Sequence, residues 1–292
     1  MEVAGREMPD VEKHMKPMTI CRVALGLALL GAAPASTALG ADPAGVAAAN
    51  DPQRASRWKA ISEQIFGDRR IEPSGATIKL DAPQRAEDAA LVPVTLATAA
   101  KDKIRSVYLV IDDNPSPLAA HITFGPAADP GSMQLRVRVD TYTNMHAVAE
   151  TRDGRLFGTV AFVKASGGCS APAAATDEEA VAGMGEMRMR FGPGTDPRKP
   201  MQATLMIRHP NFNGMQMNQV TRNYTPARYI EKVSVSYGES KIFDLVSDIS
   251  LSTNPVIAFS FLPNGKGPIR VVASDNNGGR WEQSFDAPAA MN

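Results

Sequence analysis

The chain has 292 residues, in which 31 Lys and Arg balance 31 Asp and Glu. A formal charge near zero, with no basic block at either end, argues against nucleic acid as a partner. The length suits one large or two ordinary domains once a leader is set aside.

The first forty residues read as an export signal. Lys16 and Arg22 lie near the apolar run "VALGLALLGAA", which gives way to the small-residue stretch "PASTALGADPA". Cleavage is expected after Gly40, and Met15 and Met18 are alternative starts. The apolar run is roughly 11 residues where a membrane span needs about 20, so no membrane anchor is expected. Cys21 precedes that run and leaves with the signal, which makes Cys169 the single cysteine of the mature chain. In an oxidising compartment such a residue is buried, paired between chains, or reactive.

"DPQRASRWKAISEQIFGDRRI" predicts a short helix, with Asp51 as N-cap, Pro52 at the first position and Gly67 as its end. Trp58, Ile61, Ile65 and Phe66 fall on one stripe. Short alternating or apolar runs follow: "TIKLDAP", "ALVPVTLAT", "IRSVYLVID", "HITFGP", "QLRVRVDTY", "HAVAET" and "LFGTVAFVKA". Runs of this size and spacing predict an antiparallel β-sandwich over residues 41–165, with "TRDGR" as a hairpin turn. Residues 166–185, "SGGCSAPAAATDEEAVAGMG", have a linker's composition. Strand-like runs then resume over 186–292, from "EMRMRFG" and "MQATLMIRHP" to "PIRVVASDNNGG" and "RWEQSF". The fold expected is all-β: two sandwiches joined by a flexible Cys-bearing linker, with one short N-terminal helix.

Conventional active-site chemistry is poorly represented. His121, His146 and His209 are scattered singly on strand-like runs, as structural histidines are. The methionines of "MGEMRMRF" and "MQMN" have no companion His or Cys spacing for a soft metal, so core filling explains them better. No nucleotide-binding, Gly-x-Ser-x-Gly or His-Glu-x-x-His pattern is present. No catalytic residue, metal ligand or cofactor is therefore assigned, and the chain is not expected to be an enzyme.

Cys169 remains. Only Lys164 is placed by sequence to alter its ionisation, and an ordinary thiol is just a few per cent thiolate at neutral pH. Gly167 and Gly168 lack Cβ atoms and permit close approach of another protein's walls. From Lys164, an extended arm carries the sulfur roughly 17 Å outward. These residues fit either a covalent carrier arm or an incidental linker cysteine.

Longer stretches resemble a known family. "IKLDAPQRAEDAALVPVTL", "VYLVIDDNPSPLAAHITFGP" and "RVRVDTYTNMHAVAETRDGRLFGTVAFVKASGGC" resemble SoxY; "ATLMIRHPNFNG", "YTPARYIEKVSVSYGE", "STNPVIAFSFLP" and "IRVVASDNNGGRWEQSF" resemble SoxZ. The order, Y then Z on one chain, is similar to SoxYZ-like carriers associated with quinoprotein alcohol dehydrogenases. The resemblance implies immunoglobulin-like sandwiches that pair with each other. It also implies a periplasmic, non-catalytic carrier of thiosulfate-oxidation intermediates, with Cys169 as the covalent site and Gly167 and Gly168 as its flexible arm. Implied partners are periplasmic redox enzymes of sulfur oxidation, or a quinoprotein dehydrogenase and cytochrome c system. The alternative is a binding or assembly accessory protein of a periplasmic pyrroloquinoline-quinone alcohol dehydrogenase system, with no cargo on Cys169. In the two-chain carrier the cysteine lies almost at a free C-terminus; here Ser170, Ala171 and Pro172 follow and the arm is tethered at both ends.

Overall fold

The computed structural model describes residues 51–99, 103–171, 177–193, 196, 199–218, 221–263 and 266–287. The expected signal segment, with Cys21, and Pro172 of the linker lie outside the described residues.

Helix α1 (Pro52–Phe66) begins as its sequence dictates: Asp51 accepts the Gln53 N–H at 2.8 Å, and Pro52 occupies a position whose N–H would have no helical partner. Gly67, at φ 64°, ends it by donating to the Glu63 carbonyl. Its apolar stripe lies against a sheet. Phe66 is buried with Val148 and Leu156, and the Trp58 ring stacks flat on His146 with centroids 3.6 Å apart. Arg54 and Arg57 both pair with Asp113, anchoring the first turns.

Among the described residues fifteen strands follow. The first half holds β1 (Ile71–Pro73), β2 (Ile78–Asp81), β3 (Val92–Thr98), β4 (Ile104–Ile111), β5 (Leu118–Phe124), β6 (Ala128–Val137), β7 (Thr143–Thr151) and β8 (Leu156–Val163). After a one-turn helix α2 (Asp177–Val181) come β9 (Met187–Phe191), β10 (Met201–Ile207), β11 (Ile230–Tyr237), β12 (Ser240–Ser247), β13 (Val256–Phe261), β14 (Ile269–Asp275) and β15 (Arg280–Phe285). Alternation explains most of them: in β3, β10 and β14 every second side chain is buried. Gly154, at φ 84°, closes the β7–β8 hairpin at the expected Asp-Gly turn. Two elements depart from the expectation. Strand β1, a three-residue run without readable period, pairs in parallel with β8, and α2 forms inside the stretch read as linker.

The strands form two sheets, and both run through the two halves of the chain. One has nine strands in the order β1-β8-β7-β4-β5-β12-β11-β14-β15; the other has six, β2-β3-β6-β13-β10-β9. The halves therefore join by antiparallel pairing at two seams. At β5–β12, Phe124 faces Phe243 and Ala120 faces Ser247; at β6–β13, Gln134 faces Ala258 and Ala128 faces Phe261. Side chains of both halves share one apolar cluster between the sheets, including Ile122, Met133 and Leu135 with Phe243, Leu245 and Phe259. Phe243 and Phe259 meet edge to face at 5.1 Å. Each such buried side chain contributes about 1.5–3 kcal/mol. Among the described residues no helix is long and apolar enough to cross a membrane.

The loop after β12 stitches the seams further. Ser116 donates to the Asp248 carboxylate at 2.6 Å, Asn114 to the Ser250 hydroxyl at 2.9 Å, and Ser252 to the Ala90 carbonyl at 2.8 Å. Backbone bonds from Arg138 to Ser250 and from Ser252 to Arg136 continue the ladder past the strand ends.

Candidate functional site

Strand β8 delivers the chain to Lys164, whose backbone is held on both sides: its N–H donates to Gln84 and its carbonyl accepts from Ala86. The chain then turns back into the protein. Gly167, at φ 76°, donates its N–H to the Asp140 carbonyl at 2.7 Å, and Gly168 donates to Val139 at 3.0 Å. A Cβ on Gly168 would lie 2.0 Å from the Ala89 carbonyl oxygen and 2.6 Å from that of Val139. Glycine is required there for close internal packing. From the second half, Asn213 Nδ2 donates to the Cys169 carbonyl at 2.6 Å and Gln216 Nε2 to the Ala171 carbonyl at 3.2 Å. The Cys169 residue is 0% exposed.

An extended, flexible arm was expected, and in this structure the arm is docked. Gly167, Gly168 and Cys169 are docked: the N–H groups of the two glycines and the Cys169 carbonyl find partners inside, and the sulfur leaves water. The glycines serve the fit of the docked turn where free swinging was expected of them.

Electrostatics follow from the burial. Desolvation, with a smaller contribution from the Asp140 carboxylate, pushes the Cys169 thiol up to about 12, against the pull of Arg138. The docked sulfur is a neutral thiol at neutral pH. Arg138 is 1% exposed, and its guanidinium donates to the Leu251 carbonyl at 2.6 Å and the Thr253 hydroxyl at 2.7 Å. Burial lowers it to about 10, which leaves it charged at neutral pH. A permanent cation thus stands near the sulfur, where it favours a thiolate or an anionic adduct over a neutral one.

Arg138, Asp140, Asn213 and Gln216 were not singled out from the sequence. One signal was present: in "MQLRVRV" the alternation puts Arg138 on the outward face with Arg136, yet the loop after β12 covers Arg138 and leaves Arg136 exposed. The three histidines lie apart. His146 meets Asp112 at 3.1 Å, His121 stacks on Tyr108 at 4.1 Å, and buried His209 contacts Asn211 at 2.7 Å. Among the described residues no group of three or more His, Cys, Asp and Glu side chains is arranged to hold a metal. Met187 fills core, and Met217 lies exposed on the loop that carries Asn213.

Two family matches follow the two halves of the chain, and solved structures show local similarity to it. A solved structure of the sulfur carrier protein SoxY from Chlorobium limicola f thiosulfatophilum is 31% identical over 38% of this chain and 94% of its own, with a TM-score of 0.34. A superoxide reductase (neelaredoxin) variant from Ignicoccus hospitalis is 16% identical over 39% of this chain and 90% of its own, with a TM-score of 0.28. No curated protein matches the chain. The family model described as sulfur oxidation protein SoxY matches residues 62–169, ending on Cys169, and that described as sulphur oxidation protein SoxZ matches residues 190–286. With both models met on one polypeptide, in the order of the two halves that pair at the seams, the chain belongs to the SoxY and SoxZ families as a fusion of the two.

Proposed function

We propose that this SoxYZ fusion is a periplasmic carrier that holds sulfur intermediates of thiosulfate-oxidation type covalently on Cys169 and presents them to partner redox enzymes, without catalysing the redox steps itself. The observation that carries the reading is the position of Cys169. It is the last residue of the SoxY match, and the SoxZ half grips its carbonyl through Asn213. Both halves thereby act on a single thiol.

Joining that thiol to a thiosulfate anion through an S–S bond releases one proton and two electrons, and a partner redox enzyme is the acceptor. Loading needs the thiol in the open, so the docked turn is the resting state and the partner meets an undocked one. Export precedes this, with cleavage after Gly40 removing Cys21.

The test is the intact mass of protein taken from the periplasm without reductant, with peptide mapping across residue 169. A reductant-sensitive adduct of sulfane, sulfonate or thiosulfate mass on Cys169, absent from Cys169→Ser, is expected. An adduct retained on Cys169→Ser rejects the site. A bare thiol after exposure to thiosulfate and candidate partner enzymes rejects the carrier function.

A further inference from the structure

The segment that bears Cys169 also forms one wall of a cavity of about 790 Å³, built where the two halves meet. Ala171 and Gln216 line it beside the docked turn. Four guanidinium groups border it: Arg136 and Arg138 from the first half, Arg188 and Arg208 from the second. Three carboxylates, Asp88, Glu179 and Glu186, border it too, leaving one positive charge in surplus. Apolar walls come from Leu91, Met206, Phe212 and Val256.

Two of these residues point to a ligand. Arg138 is 1% exposed and charged, yet meets only carbonyls and a hydroxyl, with no carboxylate within ion-pair distance among the described residues. A buried charge without a counter-ion is costly, and an anion in the cavity would supply one. Gln216 is 5% exposed and keeps an amide oxygen without a partner, although its nitrogen is engaged by Ala171. The exposed Arg136, Arg188 and Arg208 form no ion pair among the described residues. Their donors are free to meet acid groups in bidentate fashion.

Size and lining select the ligand class. A volume of this order fits a molecule the size of a small peptide or drug, whereas an inorganic oxyanion would touch only one of the walls. Guanidinium groups and carboxylates together suit a ligand with both acid groups and an ammonium, and the apolar wall suits a carbon skeleton between them.

We propose that this cavity binds the organic part of a sulfur-bearing anion: a peptide-like thiol conjugate whose acid groups meet Arg136, Arg138, Arg188 and Arg208, and whose ammonium faces Asp88 and Glu186. The inference deepens the carrier reading and rests on it only for placing sulfur in the ligand. Arg138 belongs to both sites, so a ligand in the cavity is sensed at Cys169 through the same guanidinium.

The experiment is titration calorimetry on the full exported chain carrying Cys169→Ser, so that only non-covalent binding is read. The probes are glutathione S-sulfonate and inorganic thiosulfate. The organic probe is expected to bind at least about tenfold more tightly than thiosulfate. The exposed-residue double variant Arg136→Gln/Arg188→Gln is expected to lose at least about tenfold in that affinity with its melting temperature unchanged. Equal or tighter binding of thiosulfate, no binding of the organic probe at millimolar concentration, or an unaffected double variant each overturns the proposal. A wild-type protein that never acquires an adduct while Cys169→Ser binds the organic probe would sink the carrier reading and leave the cavity assignment standing.

Discussion

At Cys169 two requirements oppose each other: a covalent carrier needs an accessible thiolate, and the docked turn offers a buried neutral thiol. The sign of the pH dependence follows. The thiol is raised from an ordinary 9.0 to about 12, so docking favours the protonated form. That contribution is complete below about pH 9 and is lost as pH climbs from 9 toward 12. Alkylation of wild-type protein by iodoacetamide, followed by mass, should therefore keep accelerating above about pH 10, where a free thiol is already almost fully ionised. Asn213→Ala removes the bond from the second half to the Cys169 carbonyl, about 0.5–1.5 kcal/mol of docking free energy. It should raise the alkylation rate at pH 8 about two- to tenfold. A wild-type plateau near pH 10, or an Asn213→Ala rate equal to wild type, would show that the turn is not held closed in this way.

Among the elements, helix α1 is fastened by the Trp58–His146 stack, by Phe66 and Ile65 packed with Val148 and Leu156, and by the pairing of Arg54 and Arg57 with Asp113. Trp58→Ala should cost about 1–2 kcal/mol, read as a lowered urea midpoint with an unchanged m-value. An unchanged midpoint would mean that the helix contributes nothing to the cooperative unit. This helix was fully legible in the sequence, because Asp51, Pro52 and Gly67 act on neighbouring backbone. The long alternating runs were equally legible, "YIEKVSVSYGE" giving β11 and "RWEQSF" giving β15. Strand β1 was not, since three residues carry no period and its pairing with β8 is made at a distance. The docked turn was hidden for the same reason. Its lock, Asn213, is 44 residues away, and nothing local to "ASGGCSA" announces it. Arg138 shows the limit of alternation, which assigns a face of the sheet and says nothing of a loop that later covers that face.

For the whole molecule, pairing at β5–β12 and β6–β13 with one shared apolar cluster means that neither half owns a complete core. Thermal unfolding of residues 41–292 should show one transition in calorimetry, with calorimetric and van't Hoff enthalpies equal. Two resolved transitions would mean that the seams are weaker than the halves they join. Expressed apart, residues 41–171 and 177–292 should be poorly soluble alone and soluble when co-expressed. The joining has a further effect on how the protein behaves in a crowded compartment. Cut at the seams, the two sheets would become four and present eight outer strands with unsatisfied backbone, each a template for a foreign chain. Joined, they present four, and each of these is short or charged: β1 ends in Pro73, β2 spans 4 residues, β9 carries Arg188 and Arg190, and β15 opens with Arg280 and Glu282. On the carrier reading proposed above, the turn beside the seams opens without uncovering a sticky ribbon, and the joining of the two halves is in this respect a safeguard against aggregation.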